Sequence, residues 1–353
     1  MSSPNDDQIW MQLAIQEAKR GLGLTSPNPP VGCVIVHSGK QIAKGWHQKA
    51  GTAHAERHAL SQLDPAQARG ATVYVTLEPC STQGRTGACT DLLIQAGVAR
   101  VVYGSSDPNP SHAGRASEVL TKAGIEVTTG ICEKECQHLI RGFSMVQRLK
   151  RPWVIAKVAM SLDGRISRPS GEGQWLSGSQ AREEVQLLRA KVDAIMTSGE
   201  TVRKDDPALT LRSPAVSSLK EQPWRVVMTQ QGIQKSGYQL FEDPFAKKTL
   251  VLENMALEAA LQQLAQTYDV NYVLVEAGGR LLGALNDADL IDEWVIYLTP
   301  LVTGGPGGAV SGEGASSLLK RRCLEQLEIY RVGDDVCARG LVHRGTSPPL
   351  ERL

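Results

Sequence analysis

Three potential metal ligands at fixed places constrain this chain more than any other feature. They are His54, Cys80 and Cys89, with Glu56 two residues after the imidazole and Pro79 directly before the first thiol. One imidazole and two thiolates hold a zinc ion and leave a fourth position for water, whose proton a neighbouring carboxylate can move. His54 opens a predicted helix, Cys80 follows an apolar, β-branched run over 71–77, and Cys89 precedes a second predicted helix over 91–97. Thiols near helix starts are more easily deprotonated, and such segments meet at the carboxyl edge of an α/β sheet. Zn2+ is therefore the expected metal, with His54, Cys80 and Cys89 as ligands and Glu56 as the catalytic proton carrier. The chemistry that suits them is hydrolytic loss of an amine from a nucleobase-like ring. Two other readings stay open: a redox pair, against which the wide Cys80–Cys89 spacing stands, and a structural zinc closed by His112 or Cys33.

A chain of 353 residues exceeds the usual range of one hydrophobic core, so two domains are expected. Strands alternate with helices up to a helix over 132–150, which Pro152 ends. That places a zinc-dependent domain at 1–150 and a second α/β domain at 151–343, with 344–353 as a flexible tail. The second alternation starts at Trp153, but no Gly-x-Gly-x-x-Gly follows its first strand, so a Rossmann assignment is unsupported. Residues 210–223 read as an irregular loop.

Lys and Arg number 38 against 37 Asp and Glu, a balance that gives no global attraction to nucleic acid or anionic lipid. No run approaches the roughly 18 apolar residues of a membrane span, and the first residues lack a secretory pattern. Seven cysteines, an odd number in a long chain, argue against a disulfide scaffold. A cytoplasmic enzyme is expected, with no nucleic-acid or membrane partner.

His54-Ala-Glu56 and Pro79-Cys80 with a later Cys89 resemble the cytidine/deoxycytidylate deaminase superfamily. Pro27-Asn28-Pro29-Pro30-Val31-Gly32, Thr76-Leu77-Glu78-Pro79-Cys80-Ser81 and Asp107-Pro108-Asn109-Pro110 narrow the resemblance to the bifunctional riboflavin-biosynthesis deaminase/reductase family. The long segment between the two cysteines fits that family, although Thr82-Gln83 and Gly87-Ala88 depart from its usual pattern. The second half matches too, through Lys157-Val-Ala-Met-Ser161-Leu162-Asp163-Gly164, Gln174-Trp175, Thr201-Val202, Asp205-Asp206-Pro207 and Glu276-Ala-Gly-Gly279.

The resemblance implies an N-terminal cytidine-deaminase-like three-layer α/β/α domain and a C-terminal dihydrofolate-reductase-like α/β domain. It implies zinc-dependent deamination of 2,5-diamino-6-ribosylamino-4(3H)-pyrimidinone 5′-phosphate, followed by NADPH-dependent reduction of the ribosyl group to ribityl. By matched position, Asn28, His47, Arg85 and Thr86 contact the deaminase substrate. Ala159, Trp175, Thr201, Asp205 and the stretch Gly278, Gly279, Arg280, Leu281, Leu282, Gly283 and Ala284 line the cofactor site. Gly173, Arg189, Leu209, Arg212 and Glu276 fall on the reductase substrate, with Arg189 and Arg212 suited to its phosphate. Lys157 and Asp163 organise the reacting end. The family also implies a homodimer or homotetramer acting on a phosphorylated pyrimidine.

Overall fold

The computed structural model describes residues 4–82, 87–166, 175–217, 220–305, 307–316 and 321–344. The chain divides into two compact units, Met1–Lys150 and Arg151–Leu353.

In the first unit, helix α1 (Pro4–Lys19) leads into strands β1 (Gly32–His37) and β2 (Lys40–Trp46) and the short helix α2 (Ala55–Leu60). Then follow β3 (Thr72–Leu77), α3 (Cys89–Ala96), β4 (Arg100–Ser105), α4 (Arg115–Lys122), β5 (Glu126–Thr129), α5 (Glu133–Leu139) and α6 (Arg141–Leu149). The sheet runs β2-β1-β3-β4-β5; β1 is antiparallel to both neighbours, while β3, β4 and β5 are parallel. Strand β1 is apolar on both sides because both are covered. Val34 and Val36 pack with Met11, Ala14 and Ala18 of α1, whereas Cys33 and Ile35 pack with Ala55 and Ala59 of α2. Gly32 permits the close approach of α1, since a Cβ there would stand 2.0 Å from the Ala14 carbonyl oxygen. The helix expected over 132–150 is two helices, broken at Ile140 (φ −101°, ψ 12°). The break lets the adjacent Leu139 and Ile140 enter one core, whereas a continuous helix would turn them about 100° apart.

The second unit comprises β6 (Trp153–Ser161), α7 (Ser179–Ala190), β7 (Ala194–Ser198), α8 (Gly199–Asp205), the single turn α9 (Pro214–Ser217), β8 (Trp224–Thr229) and the single turn α10 (Gln239–Glu242). It continues with β9 (Thr249–Glu253), α11 (Leu257–Thr267), β10 (Tyr272–Glu276), α12 (Gly279–Asp287), β11 (Glu293–Thr299), β12 (Leu324–Val332) and β13 (Asp335–Val342). Its sheet order is β12-β13-β11-β6-β10-β7-β8-β9. The six strands from β11 to β9 are parallel, β13 is antiparallel to β11, and β12 pairs antiparallel with β13 at the edge. Ala260, Leu261 and Leu264 of α11 and Leu282 and Leu285 of α12 bury one face of this sheet. Ala181, Val185 and Leu188 of α7 bury the other. Strands β9, β12 and β13 and helices α8 and α11 add to the elements expected from sequence. No helix among the described residues is long and apolar enough to cross a bilayer.

Candidate active sites

The two parallel strands β3 and β4 carry the first site at their carboxyl ends. Chain leaving β3 passes through Glu78 and Pro79 to Cys80, and Cys89 opens α3. His54, in extended conformation (φ −66°, ψ 162°), precedes α2, whose first turn buries Glu56 against the sheet. The Nδ1 of His54 lies 3.6 Å from Cys80 Sγ and 3.3 Å from Cys89 Sγ. The three ligand atoms lie within 4.8 Å of one another, and among the described residues no fourth His, Cys, Asp or Glu joins the group.

A tetrahedral zinc with bonds of about 2.3 Å to sulfur and about 2.05 Å to nitrogen separates those atoms by roughly 3.6 Å, so the donor set fits the ion. Three protein ligands leave one position open, which separates this site from the closed structural zinc considered above. Cys33 and His112 stand outside the group. All seven cysteines are free thiols, so Cys80 and Cys89 are not a disulfide.

The electrostatics favour loss of one proton from the paired thiols. Cys80 is pulled down to about 4, first by its hydrogen bond with Cys89 and then, against the effect of burial, by His54 and the Cys89 backbone N–H, which donates to its sulfur at 3.3 Å. The same pairing pushes the Cys89 thiol up, so the two sulfurs share one proton that a cation would displace. Contact with Cys80 raises His54. Burial, then the nearby Cys80 charge, raises the Glu56 carboxyl.

His47 and Asn28 complete this pocket. The His47 ring is buried and meets His54 edge-on with centroids 5.5 Å apart. His47 Nδ1 faces the Ala53 carbonyl at 3.0 Å, so that nitrogen carries the proton and donates. Its Nε2 therefore accepts from the Asn28 amide, 3.1 Å away. Burial lowers the His47 pKa, which favours this neutral form. Arg85 and Thr86 lie outside the described residues.

Glu78 is a residue that sequence reasoning quoted in its motif without giving it a task. Its buried carboxylate accepts the backbone N–H groups of Asp107, Gly114 and Ala116, each at 3.1 Å, and its own N–H donates to Ser105 O at 2.8 Å. Glu78 thus ties the 107–114 loop down two residues from a metal ligand. Burial raises the Asp107 carboxyl, and the Glu78 and Cys80 charges add to that rise.

In the second unit Glu276 ends β10 directly beside Lys157 of β6, since the two are register partners in a parallel pair and point to one face. Arg189 of α7 holds the Glu276 carboxylate with both prongs, Nε at 2.6 Å and Nη2 at 3.1 Å, and its Nη1 donates to Thr210 O at 3.0 Å. Burial pushes Glu276 up, but Arg189, Lys157 and Arg212 together hold it below the ordinary carboxylate value. Burial lowers Lys157, against the pull of Glu276. Arg189, expected to suit the substrate phosphate, has its guanidinium buried and paired with Glu276. Arg212 is exposed and bonded through its backbone N–H to Gln186.

Other expected residues are placed as follows. Ala159 is half-buried on the Lys157 face of β6. The Leu209 side chain is in the core, its backbone at φ +48°, so it offers backbone rather than side chain to a ligand. Asp163 accepts from the Ser161 hydroxyl at 2.6 Å and from the backbone of Thr303 and Gly304 at 3.1 and 2.7 Å. Ser161 first, then Thr303, holds its carboxyl down to about 2. Asp163 clips a loop. Trp175 is half-exposed beneath the Arg182 guanidinium, 5.6 Å from its ring. Asp205 is exposed at the end of α8, and Gly173 lies outside the described residues.

A cavity of about 630 Å³ opens at the carboxyl ends of β7 and β8, lined by Ser198, Met228, Thr229, Met255 and, from α12, Arg280, Leu281 and Ala284. Thr201 is in α8, whose Gly199, Glu200 and Arg203 line the cavity, and its N–H bonds to Ser198 Oγ at 3.1 Å. Apolar walls with a polar rim fit a dinucleotide. The stretch 278–284 does not face the cavity as a whole. Leu282 is in the core, and Gly279 and Gly283 lie against the 308–311 segment, where a Cβ would stand 2.2 Å from Gly308 O and 1.7 Å from Ser311 O. Gly278, at the helix start, keeps its Cα side open.

The chain resembles known proteins along nearly its whole length. The family described as "RibD C-terminal domain" matches residues 152–338, and the "Cytidine and deoxycytidylate deaminase zinc-binding region" matches residues 4–105. The riboflavin biosynthesis protein RibD of Escherichia coli K12 is 41% identical, over 94% of this chain and 98% of that protein. RibD of Haemophilus influenzae is 37% identical, over 94% and 96%. Among solved structures, form 1 of Acinetobacter baumannii RibD superposes with a TM-score of 0.90 at 39% identity, covering 97% of this chain and 100% of that one. The diaminohydroxyphosphoribosylaminopyrimidine deaminase/5-amino-6-(5-phosphoribosylamino)uracil reductase of Thermotoga maritima superposes with a TM-score of 0.86 at 30% identity, covering 96% and 99%.

Proposed function

This chain belongs to the RibD family of bifunctional riboflavin-biosynthesis deaminase/reductases, and from that premise we propose how its own residues divide the two reactions. It is an enzyme with a zinc-binding deaminase domain and an NADPH-using pyrimidine reductase domain in one polypeptide. Residues 1–150 carry deamination, and residues 151–343 carry reduction.

Zinc, when bound, supplies a Lewis acid that brings the pKa of water from about 16 to roughly 7. His54 Nδ1, Cys80 and Cys89 hold it. Glu56 takes the proton at its carboxylate, passes it to a ring nitrogen of 2,5-diamino-6-ribosylamino-4(3H)-pyrimidinone 5′-phosphate, and assists loss of ammonia. Burial raises Glu56 toward the range in which it can carry that proton between steps. Neutral His47 fixes Asn28, whose Oδ1 remains free to accept from an amino group of the ring. The observation that carries this reading is the convergence of one imidazole and two thiols, with the buried Glu56 carboxylate two residues from the imidazole.

NADPH, when bound, supplies a hydride to C1′ of the opened ribosyl group. Arg189 keeps Glu276 ionised and aimed, Glu276 and Lys157 face the sugar together, and Arg212 supplies a charge for the 5′-phosphate. Ala159 and Gly278 offer backbone to the nicotinamide half; Thr201, Arg280, Leu281 and Ala284 line the remainder.

One assay tests both halves. Zinc-loaded protein given the diaminopyrimidine substrate and NADPH should release ammonia, then consume NADPH, with the ribitylamino product resolved by mass. His54→Ala should abolish ammonia release yet still oxidise NADPH with the deaminated compound. Failure of zinc-loaded wild type to release ammonia refutes the deaminase assignment.

The assembly we propose is a homodimer paired through β12. This edge strand is exposed on both faces, with Leu327 52% and Ile329 66% accessible. Antiparallel self-pairing about a two-fold axis centred on Ile329 would set the exposed Ile329 directly opposite its own copy. Ile329→Asp should then convert a dimer to a monomer in light scattering. Free thiols throughout suit the reducing cytoplasm, where we place the protein.

A further inference from the structure

The cavity beside β7 and β8 carries a cation, Arg203, to which neither reaction has given a role. We propose that Arg203, with Arg280 across the cavity, grips the 2′-phosphate of the dinucleotide and so makes this chain select NADPH over NADH. The proposal rests on the reductase reading above.

The direction in which a dinucleotide lies follows from strand order. The cluster that faces the sugar is Lys157 of β6 and Glu276 of β10, with Arg189 of α7 paired to the carboxylate. The cavity lies farther along the same parallel sheet, at the ends of β7 and β8 and against Met255 and Leu257 just beyond β9. Strands about 4.8 Å apart put β9 roughly 14 Å from β10. A cofactor with its nicotinamide at the sugar must therefore extend its adenosine toward β8 and β9. The lining agrees, because Met228, Met255, Leu257 and Leu281 form an apolar slot for a flat base, and Arg203, Arg280, Gln230 and Gln231 form its polar rim.

Arg203 is held in place for this task. One Nη1 donates to Gly232 O at 3.1 Å, anchoring the guanidinium beside the turn that follows β8 while its other N–H groups remain for a ligand. Arg280, on the opposite wall, is 87% accessible and touches only the outer reach of Glu200, at 3.5 Å. The carboxylate of Glu200 on the same rim is already matched by Lys204 at 2.8 Å. Three cations around one carboxylate leave a net positive rim. A doubly charged phosphate gains two-pronged contacts between opposite charges there, whereas the uncharged hydroxyl of NADH gains at most one hydrogen bond from a guanidinium.

Calorimetric titration of the full-length chain with NADPH, NADH, 2′,5′-ADP and 5′-AMP tests this without turnover. Wild type should bind NADPH at least about tenfold tighter than NADH and 2′,5′-ADP tighter than 5′-AMP. Arg203→Ala should weaken NADPH and 2′,5′-ADP about tenfold, which is about 1.4 kcal/mol, and change NADH less than twofold. Arg203→Lys should recover part of the loss, and thermal melts of both variants should match wild type because the side chain is exposed. An unchanged NADPH-to-NADH ratio in Arg203→Ala overturns the proposal, as does an equal loss of both dinucleotides. Wild type that binds neither dinucleotide overturns the reductase reading itself, and this inference with it.

Discussion

Asn28 and His47 stand 3.1 Å apart, amide nitrogen to Nε2, and the pairing fixes the orientation of both groups. Since Nδ1 of His47 is committed to the Ala53 carbonyl, Nε2 has no proton, and only the NH2 of Asn28 can meet it. The amide oxygen is left for an incoming N–H donor. Asn28→Leu should therefore raise KM for the diaminopyrimidine about tenfold or more while metal analysis still finds one zinc per chain. His47→Phe should share the KM defect, since it frees the amide to flip. A normal KM in Asn28→Leu would remove Asn28 from the substrate site.

Glu78 makes a separable demand. A buried carboxylate that accepts three backbone N–H groups holds the 107–114 loop without any opposing cation. Glu78→Ala leaves those donors without their acceptor, at about 1–3 kcal/mol. Glu78→Gln keeps one acceptor oxygen and should retain more of the stability. Denaturant unfolding measures that difference, and the deaminase kcat/KM should fall in both variants with zinc retained. If Glu78→Ala melts like wild type, the loop is held by something else.

Zinc ligation and its carboxylate are legible in sequence because they rest on residue type at short spacing: His54 to Glu56, Pro79 to Cys80. Strands such as β1 and β3 are legible because both faces are buried and the run reads as continuously apolar. The β12–β13 hairpin is not legible. Leu-Glu-Gln-Leu-Glu-Ile-Tyr-Arg-Val has no alternation, because β12 is exposed on both faces and a bulge shifts its register between Glu325 and Glu328. Helix α11 is different: Leu257, Ala260, Leu261 and Leu264 carry a helical period that sequence alone displays and that the reading above leaves unassigned. The pairing of Arg189 with Glu276 joins residues 87 positions apart, and no local pattern encodes it. Family resemblance put both residues at the reductase site but assigned Arg189 to the phosphate.

Gly278 and Gly283 separate cofactor contact from packing within one motif. A methyl group on Gly283 would stand 1.7 Å from Ser311 O, so Gly283→Ala must displace the 308–312 segment. Overpacking of that kind costs about 1–3 kcal/mol, and a lowered melting temperature should report it. At Gly278 the nearest atom to an added Cβ is Ile166 Cδ1 at 4.0 Å, so Gly278→Ala should melt like wild type. Its loss should appear only in NADPH affinity, read by titration. Equal melting temperatures for the two variants would contradict this division.

Glu276 and Arg189 give the reductase unit a pH dependence with a defined sign. Although burial opposes it, the three neighbouring cations depress the folded-state pKa of Glu276 below its ordinary 4.5. A depressed carboxylate contributes stability that is fully present above the unfolded value and is lost as pH falls through the folded one. The acid limb of unfolding should therefore begin below about pH 4.5 and be shallower in Glu276→Gln. At neutral pH that variant leaves Arg189 buried without its counter-charge, a loss of about 3–5 kcal/mol. Replacing both partners by apolar groups, Arg189→Met with Glu276→Leu, should restore part of that stability, because the buried guanidinium goes with its partner while Lys157 still loses the neighbouring carboxylate. Reduction should stay absent, since the carboxylate facing the sugar is gone. Denaturant unfolding and NADPH oxidation, measured on wild type and these two variants, separate the two roles; recovery of reduction in the double variant would remove Glu276 from the reaction.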